Sequence, residues 1–297
     1  MTPNLPPALD GTVHELPDTP SKVVVYSAGE GAPLLLIHSI NAVASAAEVR
    51  PLFDHYRATR CVYALDLPGY GSSARTDQAY TVRLMTDAVV KAAKWIAARH
   101  GCAAMDAVAV SLSSEFLARA SVENPGLFKS LTLVSPTGFR GGQALRQAPG
   151  QTRYNAGLDK FLRGPGWGAF LFKQLTRPGV IRYFLERTWG SKVIDERLWA
   201  YNCISARQPN AELAPLAFLS GILFSADIHN VYEQIILPTL VVHGTLGDFT
   251  NYRMLSIVSG RPNWRVQVLQ NTGAMPYFEV LPAYCDIQDD FWRVMTS

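Results

Sequence analysis

Short apolar segments rich in β-branched residues alternate along this chain with longer segments whose apolar residues repeat at helical spacing. This alternation is typical of a parallel sheet with a helix between consecutive strands, because such strands are buried on both faces. The pattern predicts seven strands, at Lys22–Ser27, Pro33–Ile37, Arg60–Leu65, Met105–Val110, Ser130–Val134, Thr239–His243 and Trp264–Leu269. The fold class is therefore α/β.

The strand pattern stops after residue 138 and resumes at Pro238, about a hundred residues later. The intervening segment is rich in aromatic residues and arginine and contains short helical stretches, so it is too apolar for a bare loop. Between Leu84 and Ile96, by contrast, apolar residues mark a single helix that lies on the sheet. We predict a core domain made of residues 1–138 and 231–297, and a helical domain of residues 139–230 inserted into it.

The composition excludes several classes of protein. With 48% hydrophobic and 17% charged residues, the chain is neither disordered nor fibrous. Its apolar runs are far shorter than the roughly 20 residues that cross a bilayer, and its N-terminus has no secretion signal. The four cysteines are widely spaced, which favours free thiols and a cytoplasmic location.

The charge is small but uneven. A net charge of +3 gives no reason to expect a nucleic-acid partner. Residues 139–230 nevertheless hold twelve Lys or Arg against six Asp or Glu. A solvated basic face is the simpler interpretation, and attraction of a substrate with an acidic group is the functional one.

A serine follows the predicted strand Met105–Val110 directly, and a helix follows the serine. A serine at such a sharp turn projects its hydroxyl above the sheet, and the turn needs small residues two positions before and after it. Ala109 and Ser113 meet that need around Ser111. Since the usual pattern has glycine at both positions, this motif alone favours a structural serine at a strand end.

Two further motifs place this serine in context. Residues 34–39 end one strand with Leu-Leu-Leu-Ile-His-Ser, and residues 66–72 follow another with Asp-Leu-Pro-Gly-Tyr-Gly-Ser. With the serine turn, and with the Leu-Pro-Thr-Leu-Val-Val-His-Gly segment from residue 237, they resemble the α/β-hydrolase superfamily, close to its small bacterial members with a lid. The resemblance implies an eight-stranded, mostly parallel sheet flanked by helices, with residues 139–230 as the lid.

The resemblance also implies roles for individual residues. Ser111 would be the nucleophile, and the backbone N–H groups of Leu112 and Ile40 would form the oxyanion hole. Ser39 stands where the family usually has glycine, which adds a side chain beside that hole. Asp248 would be the acid that orients the base, although it follows Gly244 by four residues and also suits a turn.

The base itself is missing. After the last predicted strand the family carries a Gly-His-x-Pro-like turn, and this chain reads Gly-Ala-Met-Pro, with Ala274 at the position of the histidine. A serine hydroxyl is a poor nucleophile without a base. Three explanations stay open: an engineered substitution, a natural alanine with another base recruited, or the loss of hydrolysis.

His38 and His243 end strands that flank the predicted site, and they are the candidate substitute bases, although an ordinary structural role is the simpler interpretation of each. The chain has no phosphate-binding glycine loop and no metal-ligand spacing, so we expect no cofactor.

The sequence predicts a serine-dependent esterase or thioesterase that acts on a small, largely apolar molecule. The alternative is a hydrolase-fold protein that binds a ligand, or catalyses cyclisation or elimination, without an acyl-enzyme.

Overall fold

The computed structural model describes residues 4–141, 143–164, 166–248 and 251–296. Its centre is one eight-stranded sheet in the order β1-β2-β4-β3-β5-β6-β7-β8. The strands β3 to β8 run parallel, whereas β1 and β2 are antiparallel to their neighbours. Their bounds are β1 Thr12–Glu15, β2 Val24–Ala28, β3 Pro33–Ile37, β4 Cys61–Asp66, β5 Met105–Val110, β6 Phe128–Val134, β7 Thr239–Gly244 and β8 Trp264–Leu269.

Helices cover both faces of the sheet, and alternate strand residues therefore enter two separate cores. Leu35 and Ala109 pack with helix α2 and helix α3 on one face, and Leu36 and Val110 pack with helix α1 and helix α11 on the other. Because successive side chains of a strand point to opposite faces, a continuous apolar run fills both cores. These helices are α1 Arg50–Tyr56, α2 Val82–His100, α3 Ser113–Glu123 and α11 Leu281–Thr296.

The sheet and its class are as the sequence predicts, and three strands have the predicted bounds. The first strand, β1, is absent from the prediction because its residues Thr-Val-His-Glu are mostly exposed and carry no apolar run. Helix α2 is longer than its apolar repeat. The side chain of Thr81 accepts a hydrogen bond from the Leu84 N–H at its start, and Gly101 ends it in a left-handed conformation.

Six helices lie in the described parts of the segment between β6 and β7. They are α4 Ala156–Leu162, α5 Trp167–Leu175, α6 Pro178–Trp189, α7 Glu196–Ser205, α8 Leu213–Leu219 and α9 Ile228–Gln234, and the short α10 Ser256–Ser259 follows β7. Helix α9 runs through residue 230 and contributes Val231 and Tyr232 to the core that contains Leu35 and Ala109. It therefore crosses the predicted domain boundary between residues 230 and 231. None of the helices in the described part of the chain is long and apolar enough to cross a membrane.

The six-helix segment contacts loops that follow the carboxyl ends of the parallel strands. Asp195, which precedes α7, pairs with Arg50 beyond β3 at 2.7 Å. The hydroxyl of Ser205 accepts a hydrogen bond from Arg75 beyond β4. Gly190, which ends α6, lies against Gly247 beyond β7. The segment is therefore seated on the edge of the sheet where Ser111 also lies.

Candidate functional site

Ser111 lies between the end of β5 at Val110 and the start of α3 at Ser113. Its φ angle is +54°, in the left-handed region that a serine occupies at a cost of about 1 kcal/mol or more. The surrounding backbone holds it there, because its N–H donates to the carbonyl of Val134 at 2.8 Å. The hydroxyl of Ser113 donates to the carbonyl of His38 at 2.5 Å, which ties α3 to the loop after β3. The strained turn at Ser111 is therefore held by backbone and side-chain hydrogen bonds on both sides.

Two backbone donors accompany the serine. The N–H groups of Leu112 and Ile40 make no hydrogen bond to any residue that the structure describes. Leu112 directly precedes α3, and Ile40 lies in the loop after β3, the strand hydrogen-bonded to β5. Unpaired N–H groups next to a serine nucleophile are what stabilises a developing oxyanion.

A buried carboxylate, Glu48, fixes the loop that contains Ile40. Its two oxygens accept hydrogen bonds from the Ser39 N–H at 2.8 Å and from the side-chain amide of Asn41 at 2.6 Å. The same amide donates to the Ser39 hydroxyl at 3.0 Å, so the serine that replaces the family glycine has a partner. Burial raises the pKa of Glu48. Sequence reasoning missed this residue, because a glutamate in the stretch Ala-Ala-Glu-Val suits a solvated helix face as well as a buried network.

Asp248 and Ala274 lie side by side because both dock on α6. The Asp248 N–H donates to the carbonyl of Arg187 at 3.3 Å, and the Ala274 N–H donates to the next carbonyl, of Thr188, at 2.9 Å. Gly247 is required here, since a Cβ at that position would collide with the Arg187 carbonyl. The structure thus brings the predicted acid next to the predicted position of the base.

The Asp248 carboxylate already has a partner. Both of its oxygens accept hydrogen bonds from the guanidinium of Arg187, one of them at 2.7 Å, and its side chain is 44% exposed. A carboxylate has about four acceptor sites, so this pair leaves acceptor capacity but compensates the charge of Asp248 and sets its orientation. This pairing, which holds the carboxylate to the six-helix segment, is not predictable from the sequence pattern.

The segment that carries Ala274 continues across the molecule. The hydroxyl of Tyr277 donates to the Glu48 carbonyl at 2.9 Å, so the chain runs from the end of β8 to the 3₁₀ turn Ala46–Val49 after β3. In the sheet order, β5 with Ser111 lies between those two strands.

His38 has no free nitrogen. Its Nε2 accepts from the Leu67 N–H at 3.0 Å, so its Nδ1 carries the proton and donates to the Ser39 carbonyl at 2.5 Å. Complete burial lowers its pKa to about 4. This neutral imidazole joins two loops and is not available to take a proton from Ser111, contrary to its candidacy as a substitute base.

His243 keeps one open nitrogen. Its Nδ1 lies 2.9 Å from the Gly244 carbonyl, and its ring stacks on Tyr252 with 3.9 Å between centroids. Within the described residues its Nε2 has no hydrogen-bond partner. Burial lowers its pKa, so the ring is neutral at pH 7. Its strand, β7, lies two strands from β5, so the axes of those strands are about 10 Å apart.

A second buried carboxylate, Glu115, lies one helical turn after Ser111. Its oxygens accept from the Thr137 hydroxyl at 2.5 Å and from the Ser225 N–H at 2.9 Å, which joins α3 to the end of the six-helix segment. Burial raises its pKa to about 7. The sequence alone assigns no role to Glu115.

The raised pKa predicts that Glu115→Gln gains stability relative to the native chain as pH rises. The folded protein keeps this proton to about pH 7, whereas an unfolded glutamate releases it near 4.5. The native chain therefore loses stability through that window, by about 3 kcal/mol at most, and the glutamine variant does not. Urea midpoints of both proteins at pH 5 and pH 8 measure the effect. An equal difference at both pH values would contradict it.

No group of three His, Cys, Asp or Glu side chains that could hold a metal ion occurs among the described residues. All four cysteines are free thiols, as the sequence predicts.

Comparison with known proteins points to one fold. The sequence profile of the alpha/beta hydrolase fold matches residues 32–280. No curated protein matches the chain. A serine hydrolase from the polyaromatic-hydrocarbon-degrading bacterium Cycloclasticus zankles superposes with a TM-score of 0.74 at 16% identity, covering 96% of this chain and 98% of the other.

Two other solved structures are similar to the same extent. The epoxide hydrolase CorEH has a TM-score of 0.72 at 18% identity, covering 96% of this chain and 99% of its own. The 2-hydroxy-6-oxo-6-phenylhexa-2,4-dienoate hydrolase of Rhodococcus sp. strain RHA1 has a TM-score of 0.72 at 15% identity. The match covers 95% of this chain and 99% of that hydrolase. At such identities the likeness concerns the fold, and these neighbours are hydrolases of differing chemistry.

Proposed function

The chain belongs to the α/β-hydrolase fold family, and on that premise we propose that it is a serine-dependent hydrolase of a small, largely apolar ester or thioester. The observation that carries the proposal is the left-handed φ of Ser111 at the junction of β5 and α3, next to the unpaired N–H groups of Leu112 and Ile40. A serine that only ended a strand would have no need of this strain or of free donors beside it.

In the proposed reaction, the Ser111 Oγ attacks the carbonyl carbon, and the carbonyl oxygen becomes an oxyanion that accepts from the Leu112 and Ile40 N–H groups. The serine proton passes to water, with His243 as a second acceptor beyond it. Collapse of the tetrahedral intermediate expels the alcohol or thiol and leaves an acyl-serine, which water then hydrolyses.

The absent imidazole at Ala274 selects the leaving group. An alkoxide needs a proton from a general acid to depart, whereas a thiolate or a phenolate, with conjugate-acid pKa values of about 8.5 and 10, departs without one. We therefore place thioesters and aryl esters above alkyl esters as substrates. The basic excess of residues 139–230 favours those that carry an acidic group.

We further propose that residues 139–230 form a lid over Ser111. The contacts that support this role are those of Arg187 with Asp248 and of Ser225 with Glu115, since both lie beside the serine turn or the Ala274 turn. A lid that excludes water strengthens the oxyanion interactions.

Covalent labelling of the native chain with a fluorophosphonate probe tests the proposal, together with a burst of p-nitrophenol from p-nitrophenyl acetate. One adduct per chain on the peptide that contains Ser111 is the expected result. Absence of both adduct and burst would overturn it.

One observation favours a second candidate, a hydrolase-fold protein that binds a ligand or catalyses a non-hydrolytic step. The bidentate Arg187–Asp248 pair, beside an alanine at the position of the base, is a stable arrangement with no use in an acyl transfer cycle. That candidate would gain if the chain bound small aromatic acids yet formed no adduct.

We predict that Glu48→Gln lowers the rate of acylation about tenfold and leaves substrate affinity unchanged. Glutamine has one acceptor oxygen, so either Ser39 or Asn41 loses its partner, and the loop that carries the Ile40 N–H shifts. Stopped-flow measurement of the burst gives the rate and the affinity separately. Glu123→Gln, an exposed glutamate paired with Arg83, is the control and should leave both unchanged.

A further inference from the structure

The surface of α4 and α5 carries a cluster of exposed apolar side chains that the proposed function leaves unused. We define it as the aromatic patch: Tyr154, Leu158, Phe161, Trp167 and Phe170, which are 39% to 59% exposed. Single exposed apolar residues are ordinary on a protein surface, but a contiguous group marks an interaction site.

Three rings of the patch lie against one another. The rings of Phe161 and Trp167 stack with 6.3 Å between centroids, and Trp167 meets Phe170 edge to face at the same separation. Inward-facing residues of the same helices, Leu162 and Phe172, are buried and attach this unit to the rest of the protein. Helix α5 is therefore apolar toward both the protein and the solvent.

Positive charge surrounds the patch. Residues 153–177 contain five Lys or Arg and a single acidic residue, Asp159. Asp159 pairs with Arg163, so the charge of that arginine is compensated. Lys160 and Lys173 are exposed and have no ion-pair partner among the residues that the structure describes. The surface thus combines exposed aromatic rings with uncompensated lysines.

We propose that the aromatic patch binds the surface of an anionic phospholipid bilayer, with α4 and α5 lying in the plane of the interface. Tryptophan, phenylalanine and tyrosine are the residues that occupy the boundary between lipid headgroups and acyl chains, and lysines beside them pair with lipid phosphates. A second copy of the chain fits the charge less well, because two patches brought face to face would repel. The proposal is independent of the chemistry at Ser111, since none of these residues belongs to that site.

Co-sedimentation with vesicles tests it directly. The native chain should sediment with vesicles made of equal parts phosphatidylglycerol and phosphatidylcholine, and much less with phosphatidylcholine alone. The double variant Trp167→Ser/Phe170→Ser should lose at least tenfold in binding. The matched control is Val193→Ser/Ile236→Ser, which removes two apolar side chains that are 81% and 74% exposed elsewhere on the surface, and it should bind like the native chain.

A charge variant keeps the test decisive if the aromatic substitutions impair folding. Lys160→Glu/Lys173→Glu should reduce binding to the anionic vesicles, and salt should weaken the binding of the native chain. The proposal would be overturned if the native chain, the aromatic double variant and the lysine double variant all bound the anionic vesicles equally. It would also be overturned if the patch variant converted a dimer to a monomer while vesicle binding stayed the same, because the patch would then join two copies.

Discussion

Ser111→Ala is expected to eliminate the fluorophosphonate adduct completely and to abolish the burst of p-nitrophenol from p-nitrophenyl acetate, leaving only slow residual hydrolysis. The hydroxyl is the atom that forms the covalent bond, so no residual adduct is possible without it. Substrate affinity should survive, because the Leu112 and Ile40 N–H groups and the surrounding loops remain. Intact-mass spectrometry after labelling, together with equilibrium binding of an uncleaved amide analogue, measures the two effects separately.

Ser114→Ala is the matched control, three residues along the same turn. Its hydroxyl is buried and donates to the Ala109 carbonyl at 3.3 Å, so it supports the turn without facing substrate. We expect this variant to keep nearly full labelling. Ser113 is unsuitable as a control because its hydroxyl holds the His38 carbonyl. Equal loss in the Ser111 and Ser114 variants would attribute the effect to the turn, and full labelling of Ser111→Ala would remove serine catalysis from the proposed function.

The parallel strands can be predicted from the sequence, because burial on both faces of the sheet requires a continuous apolar run. Pro33–Ile37 is buried at every position, and its predicted and observed bounds agree. The edge strand Thr12–Glu15 cannot be predicted in this way. Its polar residues are exposed to solvent, and backbone hydrogen bonds to β2 hold it in the sheet.

The serine turn is predictable for a similar local reason. The backbone of this turn requires small residues two positions before and two positions after Ser111. The sequence motif therefore predicts the turn, and the observed φ of Ser111 is +54°. Long-range pairs leave no such trace. Arg187 and Asp248 are 61 residues apart, and neither belongs to a pattern that anticipates the other.

The buried carboxylates were also beyond sequence reasoning. A glutamate in an otherwise apolar stretch is consistent with a solvated helix face or with a buried network, and only the donors around it decide. For Glu48 those donors are the Ser39 N–H and the Asn41 amide, which come from the loop after β3. For Glu115 they come from residues 22 and 110 positions away.

The arrangement at Ala274 predicts that a histidine at this position alone does not restore full hydrolytic activity. In Ala274→His, the new imidazole would meet an acid whose charge is compensated and whose orientation is set by Arg187, so Asp248 would orient it poorly. A triad without its acid loses orders of magnitude in rate, through the wrong tautomer and orientation of the base. We expect Ala274→His to raise the hydrolysis of aryl esters by about tenfold or less.

Removal of the arginine should complete the triad. Arg187→Met frees Asp248, and in combination with Ala274→His we expect a gain of about a hundredfold or more, whereas Arg187→Met alone gains nothing. The excess of the double variant over the product of the single ones is the measured quantity, from steady-state kcat/KM of all four proteins. Arg182→Met is the control, since Arg182 lies on the same helix and makes a bidentate pair with Glu196. A combination of Ala274→His with Arg182→Met should match Ala274→His alone. If the Arg187 combination showed no excess either, in a folded protein that still labels at Ser111, the acid would be a residue other than Asp248.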